Sequence, residues 1–370
     1  VTNIPAPYRI PVYNAIGKDT GIDLHVVFCS AREPNREWNL PTLLRPHHVL
    51  KDRFLTIRGH FIHVNVDVVG CLRSIAPDVV ITTGFNPTHL LAVLYAAVKG
   101  LVHIPMTDGT LNSERTLGAI HRFVRRRVYA RSQAFVAAAN AGLDIYRSYG
   151  CDERDLFRSA LCADNGAFAG HDDVAKRFDL MFCGRWVDVK NPLFALQVGR
   201  LVARDLGRRV SLCFVGSGPL ETAIRDAAAA MPELEVSLLG FAARDDLPRR
   251  YADARIFLLP SLWDPWGVVA NEACAAGLPV ICSPHAGVAG ELVKDGRSGF
   301  VRNLDPRSWA DAVVALLRDE ALYAAMSRNA RQIAIEEYDF AAAAGGLVAA
   351  VRHALRINGG PHTAGSAVRR

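Results

Sequence analysis

Ile256-Phe257-Leu258-Leu259-Pro260-Ser261-Leu262-Trp263-Asp264-Pro265-Trp266-Gly267-Val268-Val269-Ala270-Asn271-Glu272-Ala273-Cys274-Ala275-Ala276-Gly277 is the stretch on which the fold turns. A short apolar strand ends at Leu259, a loop with two prolines follows, and Val268 to Ala276 reads as a helix closed by Gly277. Working outward, the same alternation of apolar runs with longer amphipathic or Ala-rich runs extends along the chain, as in parallel sheets with helical crossovers. Strands are expected at Leu180 to Cys183, Ser211 to Val215, Val236 to Leu239, Ile256 to Leu259 and Pro279 to Cys282. In the first half they are expected at Asp23 to Phe28, His60 to Asn65, Asp78 to Thr82, Val102 to Met106 and Phe135 to Ala138. Only Val1 and Thr2 precede the turn-like Asn3 to Pro7, so the first strand is expected to be abbreviated, with part of it missing from this sequence.

Between the halves, Cys162 to Asp173 is rich in small and polar residues without periodicity and reads as a linker. The division is therefore 1–165 for an N-terminal and 166–340 for a C-terminal Rossmann-like domain. The C-terminal helices after Ala310, above all 341–357, are expected to return to the first domain, and 358–370 to be a disordered tail. Two doubly wound α/β domains facing across a cleft would place ligands at the carboxyl ends of their strands.

The chain of 370 residues, 50% apolar and 22% charged, is long enough for two cores and excludes disorder over most of its length. Lys plus Arg less Asp plus Glu is 43 − 37 = +6, which suits anionic ligands or membrane surfaces but is too diffuse to argue for nucleic acid. Eight cysteines, at 29, 71, 151, 162, 183, 213, 274 and 282, show no CxxC, and free buried thiols in a reducing cytoplasm outweigh disulfides or zinc. No apolar run approaches the roughly 18 residues of a spanning helix, and Val1 to Pro11 has no signal-peptide core. His47, His48, His89 and His121 have no metal-site spacing, and GxSxG, HExxH and GxxxxGK[ST] are missing.

Chemistry is sought in the loops after the strands of the second half. The N–H groups of Gly267, Val268 and Val269 open a helix whose dipole suits a phosphate. Asp264 lies in the loop before that helix and Glu272 about a turn inside it, so both can reach one ligand. The loop 182–192 carries Arg185, a planar fork for phosphate oxygens, and Lys190, a point charge, before an Asn191 N-cap and Pro192. Gly216, in Val215-Gly216-Ser217-Gly218-Pro219, and the glycines of 283–291 add loops at the same sheet edge.

The motifs FCGRWVDVKNP (182–192), FVGSGPLE (214–221), LLGF (238–241), YADARIFLLPSLWDPWGVVANEACAAGLPVICS (251–283) and AGVAGELVKDGRSGFV (286–301) resemble the retaining glycosyltransferases of family 4, glycosyl transferases group 1, with the GT-B fold. The acid, seven residues, Glu pattern is Asp264 to Glu272 here, with Asp for the usual first Glu. The resemblance implies that Glu272 holds the ribose of a nucleotide sugar, and that Arg185, Lys190 and the N–H groups of Val268 and Val269 hold the diphosphate. It further implies that Gly240-Phe241 reads the base, that Asp264 lies near the sugar, and that the Gly287 backbone faces the donor. Asp108, after His103-Ile104-Pro105-Met106-Thr107, stands where many relatives carry a histidine, as a second catalytic candidate. The opening NIPAPYRIPVYNAI (3–16) would face the acceptor.

The implied activity is a metal-independent, hexosyltransferase-like transfer from a nucleoside diphosphate sugar to a saccharide or lipid-linked acceptor in polysaccharide biosynthesis, without cofactor or nucleic acid. The alternatives are a nucleotide-sugar-binding protein with vestigial catalysis and a GT-B epimerase or hydrolase. The arginines of Arg122 to Arg131 lie on an expected helix and suit anionic lipid, against an ordinary solvated face. The expected location is the cytoplasm, peripheral on the inner face of the membrane.

Overall fold

A computed structural model of the protein describes residues 1–17, 21–34, 40–57, 60–115, 117–171, 174–243 and 245–359. The chain divides into two compact units, Val1–Ala160 with the segment from Phe340 onward, and Leu161–Asp339.

In the first unit the strands are β1 (Val26–Phe28), β2 (His47–Val49), β3 (Phe54–Ile57), β4 (His60–His63), β5 (Val79–Thr82), β6 (Val102–Thr107), β7 (Phe135–Ala137) and β8 (Leu156–Arg158). β5-β6-β7-β8 form one parallel sheet and β1-β2 a separate parallel pair. β3 and β4 form an antiparallel hairpin, which departs from the all-parallel reading; β3 is half-exposed to exposed, so no buried apolar run marks it in the sequence. Val1 and Thr2 form a two-residue stub between β1 and β5: Thr2 N–H donates to Val27 O at 2.9 Å, and the Val1 amine to Ile81 O at 2.7 Å. The helix Pro87–Lys99 starts where Asn86 accepts from His89 N–H and stops at Gly100 with φ 66°, so both ends are set locally.

In the second unit β9 (Phe178–Cys183), β10 (Val210–Val215), β11 (Leu234–Gly240), β12 (Ala254–Leu259), β13 (Val280–Cys282) and β14 (Gly299–Val301) form one sheet in the order β11-β10-β9-β12-β13-β14, parallel throughout. Leu180, Met181 and Phe182 of β9 are all buried, the mark of a central strand covered on both faces. The helix Pro192–Leu206, ended by Gly207 at φ 64°, buries Phe194, Leu196, Val198 and Val202 against this sheet. Trp186 and Trp309 fill the same core, and each fully buried large apolar side chain contributes about 1.5–3 kcal/mol.

Three expectations need correction. The expected linker is ordered as far as His171, while Asp172 and Asp173 lie outside the described residues. Asn165–Phe168 is a helical turn, Phe168 meets the Tyr251 ring edge-on at 5.4 Å, and Asn165 Nδ2 donates to Ala334 O at 2.7 Å. Small residues there permit close packing rather than freedom, and the division between the units falls at Ala160. Next, Glu320–Ile357 is long and apolar enough by composition to cross a membrane, contrary to the reading that no such run exists. It forms two helices, Glu320–Glu337 and Phe340–Ile357; the second, with Ala343, Ala344, Leu347 and Ala350 buried, packs on Ile10–Ile16 and β6 to β8. Finally, of the helices after Asp305 only Phe340–Ile357 belongs to the first unit; Pro306–Arg318 packs on Pro192–Leu206, and Glu320–Glu337 on Val268–Ala275. Of the 358–370 tail, residues 360–370 lie outside the described residues.

Candidate functional site

From β9 the chain moves outward through β10 and β11, then returns to the opposite side of β9 as β12 and continues through β13 and β14. The order reverses between β9 and β12, and the crevice at their carboxyl ends is where an open parallel sheet takes a ligand. Two loops meet there, Gly184–Asn191 after β9 and Pro260–Gly267 after β12. Leu262 N–H donates to Val189 O at 2.9 Å, tying them together.

The Pro260–Gly267 loop ends in a residue that must be glycine. Gly267 has φ 103°, and a Cβ there would lie 3.1 Å from Leu259 Cδ2. The helix Val268–Ala275 begins immediately after it, and among the described residues no acceptor takes the N–H groups of Gly267, Val268 or Val269. Those groups carry the positive end of the helix. Lys190 Nζ reaches the same place and donates to Asp264 Oδ2. Asp264 is buried, and its other oxygen accepts from Trp266 N–H at 3.3 Å. Arg185 is exposed, and its guanidinium has no partner among the described residues. Asn191 occupies the N-cap position of Pro192–Leu206 at φ 55° but makes no side-chain cap, contrary to the expected role. Its left-handed turn ends the short 3-10 turn Asp188–Lys190 and starts the helix in the other direction.

Glu272 sits on the fifth residue of Val268–Ala275, and Tyr251 Oη donates to its Oε2 at 2.7 Å. Tyr251 is fully buried, and burial, then Cys183 and Glu272, pushes its phenol well above the ordinary range, so it remains a donor. Tyr251 is the partner that reading the sequence missed. It opens the motif 251–283, but nothing in its spacing from Glu272, which belongs to a different element, marks the contact.

The glycine loops are tighter than expected. Gly216, at φ 130°, would place a Cβ 2.0 Å from Gly184 O, and its own N–H donates to Gly240 O at 2.8 Å. A Cβ at Gly218 would lie 2.4 Å from Trp186 O. Gly216 and Gly240 are thus brought together, with their shared N–H and C=O bonded to each other, while Phe241 projects with 81% of its surface exposed. The N–H of Gly287, expected to face a ligand, donates to Asp264 O at 3.0 Å, and a Cβ there would meet Pro265 O at 2.1 Å. Its glycine lets two loops approach.

Asp108 lies in the first unit, just past β6. Arg9 Nη2 donates to its Oδ1 at 2.5 Å, with side-chain exposures of 6% for Arg9 and 43% for Asp108. Arg9 also donates to Ser159 O at 3.2 Å. Burial opposes the charge on Arg9, but Asp108 and Tyr13 outweigh it and raise the guanidinium pKa. Arg9 is a second residue that the sequence did not mark. His103 is no ligand-facing group: it is buried, with Thr82 Oγ1 at 3.0 Å and Ser132 Oγ at 2.9 Å. On the helix Ala119–Tyr129, Arg125 is bound to Glu114 and lies 4.2 Å over the Phe85 ring, whereas Arg122, Arg126 and Arg127 are exposed beside Ile120 and Phe123. None of the eight cysteines forms a disulfide, and six of them are buried.

The family model for glycosyl transferases group 1 matches residues 168–333. A D-inositol 3-phosphate glycosyltransferase of Rhodococcus opacus is 30% identical over 260 residues, 64% of this chain and 56% of that protein. The amylovoran biosynthesis glycosyltransferase AmsK of Erwinia amylovora is 35% identical over 148 residues, 34% of this chain and 35% of its own. The chain therefore spans about a third to just over half of these relatives. Among solved structures, Anabaena HepE in complex with UDP matches with a TM-score of 0.72 at 16% identity, covering 95% of this chain and 98% of that one. WaaG, a glycosyltransferase involved in lipopolysaccharide biosynthesis, matches with a TM-score of 0.62 at 16% identity, covering 97% and 100%. The fold is accordingly that of the GT-B glycosyltransferases, and residues 168–333 are similar to the glycosyl transferases group 1 family.

Proposed function

We propose that the protein is a retaining glycosyltransferase that moves a sugar from a nucleoside diphosphate sugar to a saccharide or lipid-linked acceptor. The observation that carries this reading is the open helix start at Gly267–Val269 with Lys190 beside it, at the point where the strand order reverses. In that role the N–H groups of Val268 and Val269, Lys190 and the exposed Arg185 hold the diphosphate. Glu272, fixed by Tyr251, accepts from the ribose hydroxyls, and Phe241 with the Gly240 backbone borders the base. As the bond from the anomeric carbon to the diphosphate oxygen breaks, the departing negative charge falls on groups already aimed at it. The acceptor hydroxyl then bonds to the same face of that carbon and its proton passes to the leaving phosphate oxygen, so no protein nucleophile or metal ion is required. Asp264 would bind sugar hydroxyls or steady positive charge on the ring; Asp108, held by Arg9 in the first unit, is a candidate of its own.

Anabaena HepE is seen with UDP, which favours a uridine donor. AmsK, named for amylovoran biosynthesis, supports a place in polysaccharide assembly. Cysteines without disulfides suit the cytoplasm, and exposed Arg122, Arg126 and Arg127 with Ile120 and Phe123 suit an anionic inner leaflet. Incubation of the purified protein with labelled sugar nucleotides, with and without membrane lipid extract, tests the reading. Transfer with retained anomeric configuration is expected. Free sugar or an epimer would replace it with a donor-modifying enzyme, and bound but unconverted donor with a binding protein. Unchanged donor affinity in both Lys190→Ala and Glu272→Ala would mean that the site lies elsewhere.

A further inference from the structure

In the second unit the Asp264 carboxylate has the surroundings of a bound phosphate. Its Oδ2 accepts from Lys190 Nζ, and its Oδ1 accepts from Trp266 N–H at 3.3 Å. A Cβ on Gly267 would lie 3.6 Å from Oδ2, so the carboxylate stands beside the positive end of the helix Val268–Ala275. An ammonium and a helix start are the same groups that a diphosphate would meet there, and the chain supplies an anion of its own to them. The two partners differ in freedom. Asp264 is buried and pinned through its main chain, since its N–H donates to His285 O at 3.1 Å and its C=O accepts from Gly287 N–H at 3.0 Å. Lys190 closes the 3-10 turn Asp188–Lys190, is partly exposed, and carries its charge on a flexible four-carbon stem. The ammonium can therefore leave, and the carboxylate cannot follow it.

We propose that Asp264 is an internal stand-in for the phosphate: Lys190 is held by Asp264, passes to the diphosphate when a nucleotide binds, and returns to Asp264 as the nucleotide leaves. The proposal rests on the reading of Gly267–Val269 and Lys190 as a diphosphate site. Because the ammonium exchanges one anionic partner for another, it contributes the difference between two charge pairs to binding rather than the whole of one. The nucleotide is accordingly held less tightly than the cation alone would hold it. While the diphosphate is in place the buried carboxylate lacks its ammonium, and the recovery of that pair favours release of the spent nucleotide after transfer. The exchange also orders the site, because Asp264 Oδ2 is uncovered only when the diphosphate has drawn Lys190 away, at the moment when the sugar of a donor can use it.

The test measures UDP binding to the full chain by calorimetry and stopped-flow kinetics, at about 0.1 M and about 0.5 M salt. The parent protein is compared with Asp264→Asn, Asp264→Ser, Asp188→Asn and Lys190→Ala. Asp188 is exposed on the same 3-10 turn as Lys190, so its replacement removes one negative charge without touching the ion pair. Both Asp264 variants are expected to bind UDP about tenfold more tightly, with the gain in slower dissociation and retained at the higher salt, as for a buried partner rather than a rim charge. Asp188→Asn is expected to stay within about twofold of the parent. Lys190→Ala, which leaves the carboxylate uncovered beside the phosphates, is expected to bind more weakly. Unchanged or weaker UDP binding in both Asp264 variants would overturn the exchange, as would a gain confined to association that vanishes at the higher salt, or an equal gain in Asp188→Asn. In each of those cases a weakened Lys190→Ala leaves the diphosphate site itself standing, whereas unchanged affinity in Lys190→Ala removes the site and the exchange together.

Discussion

Replacing Lys190 by methionine keeps most of the stem and removes the ammonium from a buried carboxylate. Asp264 is only 7% exposed, and without Lys190 it retains one long hydrogen bond, from Trp266 N–H at 3.3 Å. Breaking a fully buried pair by removing one partner costs about 3–5 kcal/mol. The positive end of the helix at Gly267 lies beside this carboxylate, and Lys190 is itself 23% exposed, so the cost falls to about 2 kcal/mol. That is roughly 30-fold in the folding equilibrium, or about 4–8 °C in melting temperature for a unit of this size. Urea and thermal unfolding of K190M, D264N and the double variant measure it. K190M alone is expected to lose about 2 kcal/mol, whereas K190M/D264N recovers most of this because no uncompensated charge remains. Affinity for a nucleoside diphosphate is expected to stay low in the double variant, since the ammonium that meets the phosphates is missing in both. The reasoning fails if K190M costs less than about 0.5 kcal/mol, or if the double variant is no more stable than K190M.

Tyr251→Phe removes the 2.7 Å hydrogen bond to Glu272 while retaining the buried ring, and should weaken UDP binding about tenfold by calorimetry; unchanged affinity would detach Glu272 from the ligand. Gly216→Ala drives a Cβ to 2.0 Å from a backbone oxygen at φ 130° and should cost about 3 kcal/mol or more, so a melting temperature equal to that of the parent protein would show that the loops can part. Burial, then neighbouring positive groups, lowers the His89 pKa to about 3 and the His103 pKa to about 4. Both are held neutral in the folded chain, so the unfolded chain binds more protons below pH 6.5 and stability rises with pH between about 4 and 6.5. The two should together cost about 4 kcal/mol on going from pH 8 to pH 5, and a urea midpoint flat across that range would contradict it. Exchanging Arg122, Arg126 and Arg127 for glutamate should abolish sedimentation with anionic but not neutral vesicles, if those exposed groups meet lipid; equal sedimentation would assign them to solvent.

The second unit was legible because its strands are buried on both faces and written as near-continuous apolar runs, and because Gly207, Gly267 and Gly277 mark turns that side chains resist. Strands lacking such a run were not: β2 is His47-His48-Val49, β3 is half-exposed to exposed, and β8 and β14 have three residues each. At the candidate site, residue types and order picked out Lys190, Asp264 and Glu272, but not who touches whom. Lys190 and Asp264 are 74 positions apart, Tyr251 and Glu272 21, and Arg9 and Asp108 99. Such pairs depend on strand order, which local periodicity does not encode. Gly216 and Gly287 were read as backbone facing a donor, yet they approach other loops and spend their N–H groups on Gly240 and Asp264.

That interlocking divides the rim into editable and locked positions. Any side chain at 216, 218 or 287 would collide with main chain, whereas Arg185, Ser217 and Phe241 project into solvent. A laboratory selection for altered nucleotide preference would therefore harvest substitutions from Ser217 and Phe241, retain Arg185 for the diphosphate and find the glycines silent. Diversification in nature would be channelled the same way, with novelty arising at the projecting tips while the crossing points persist.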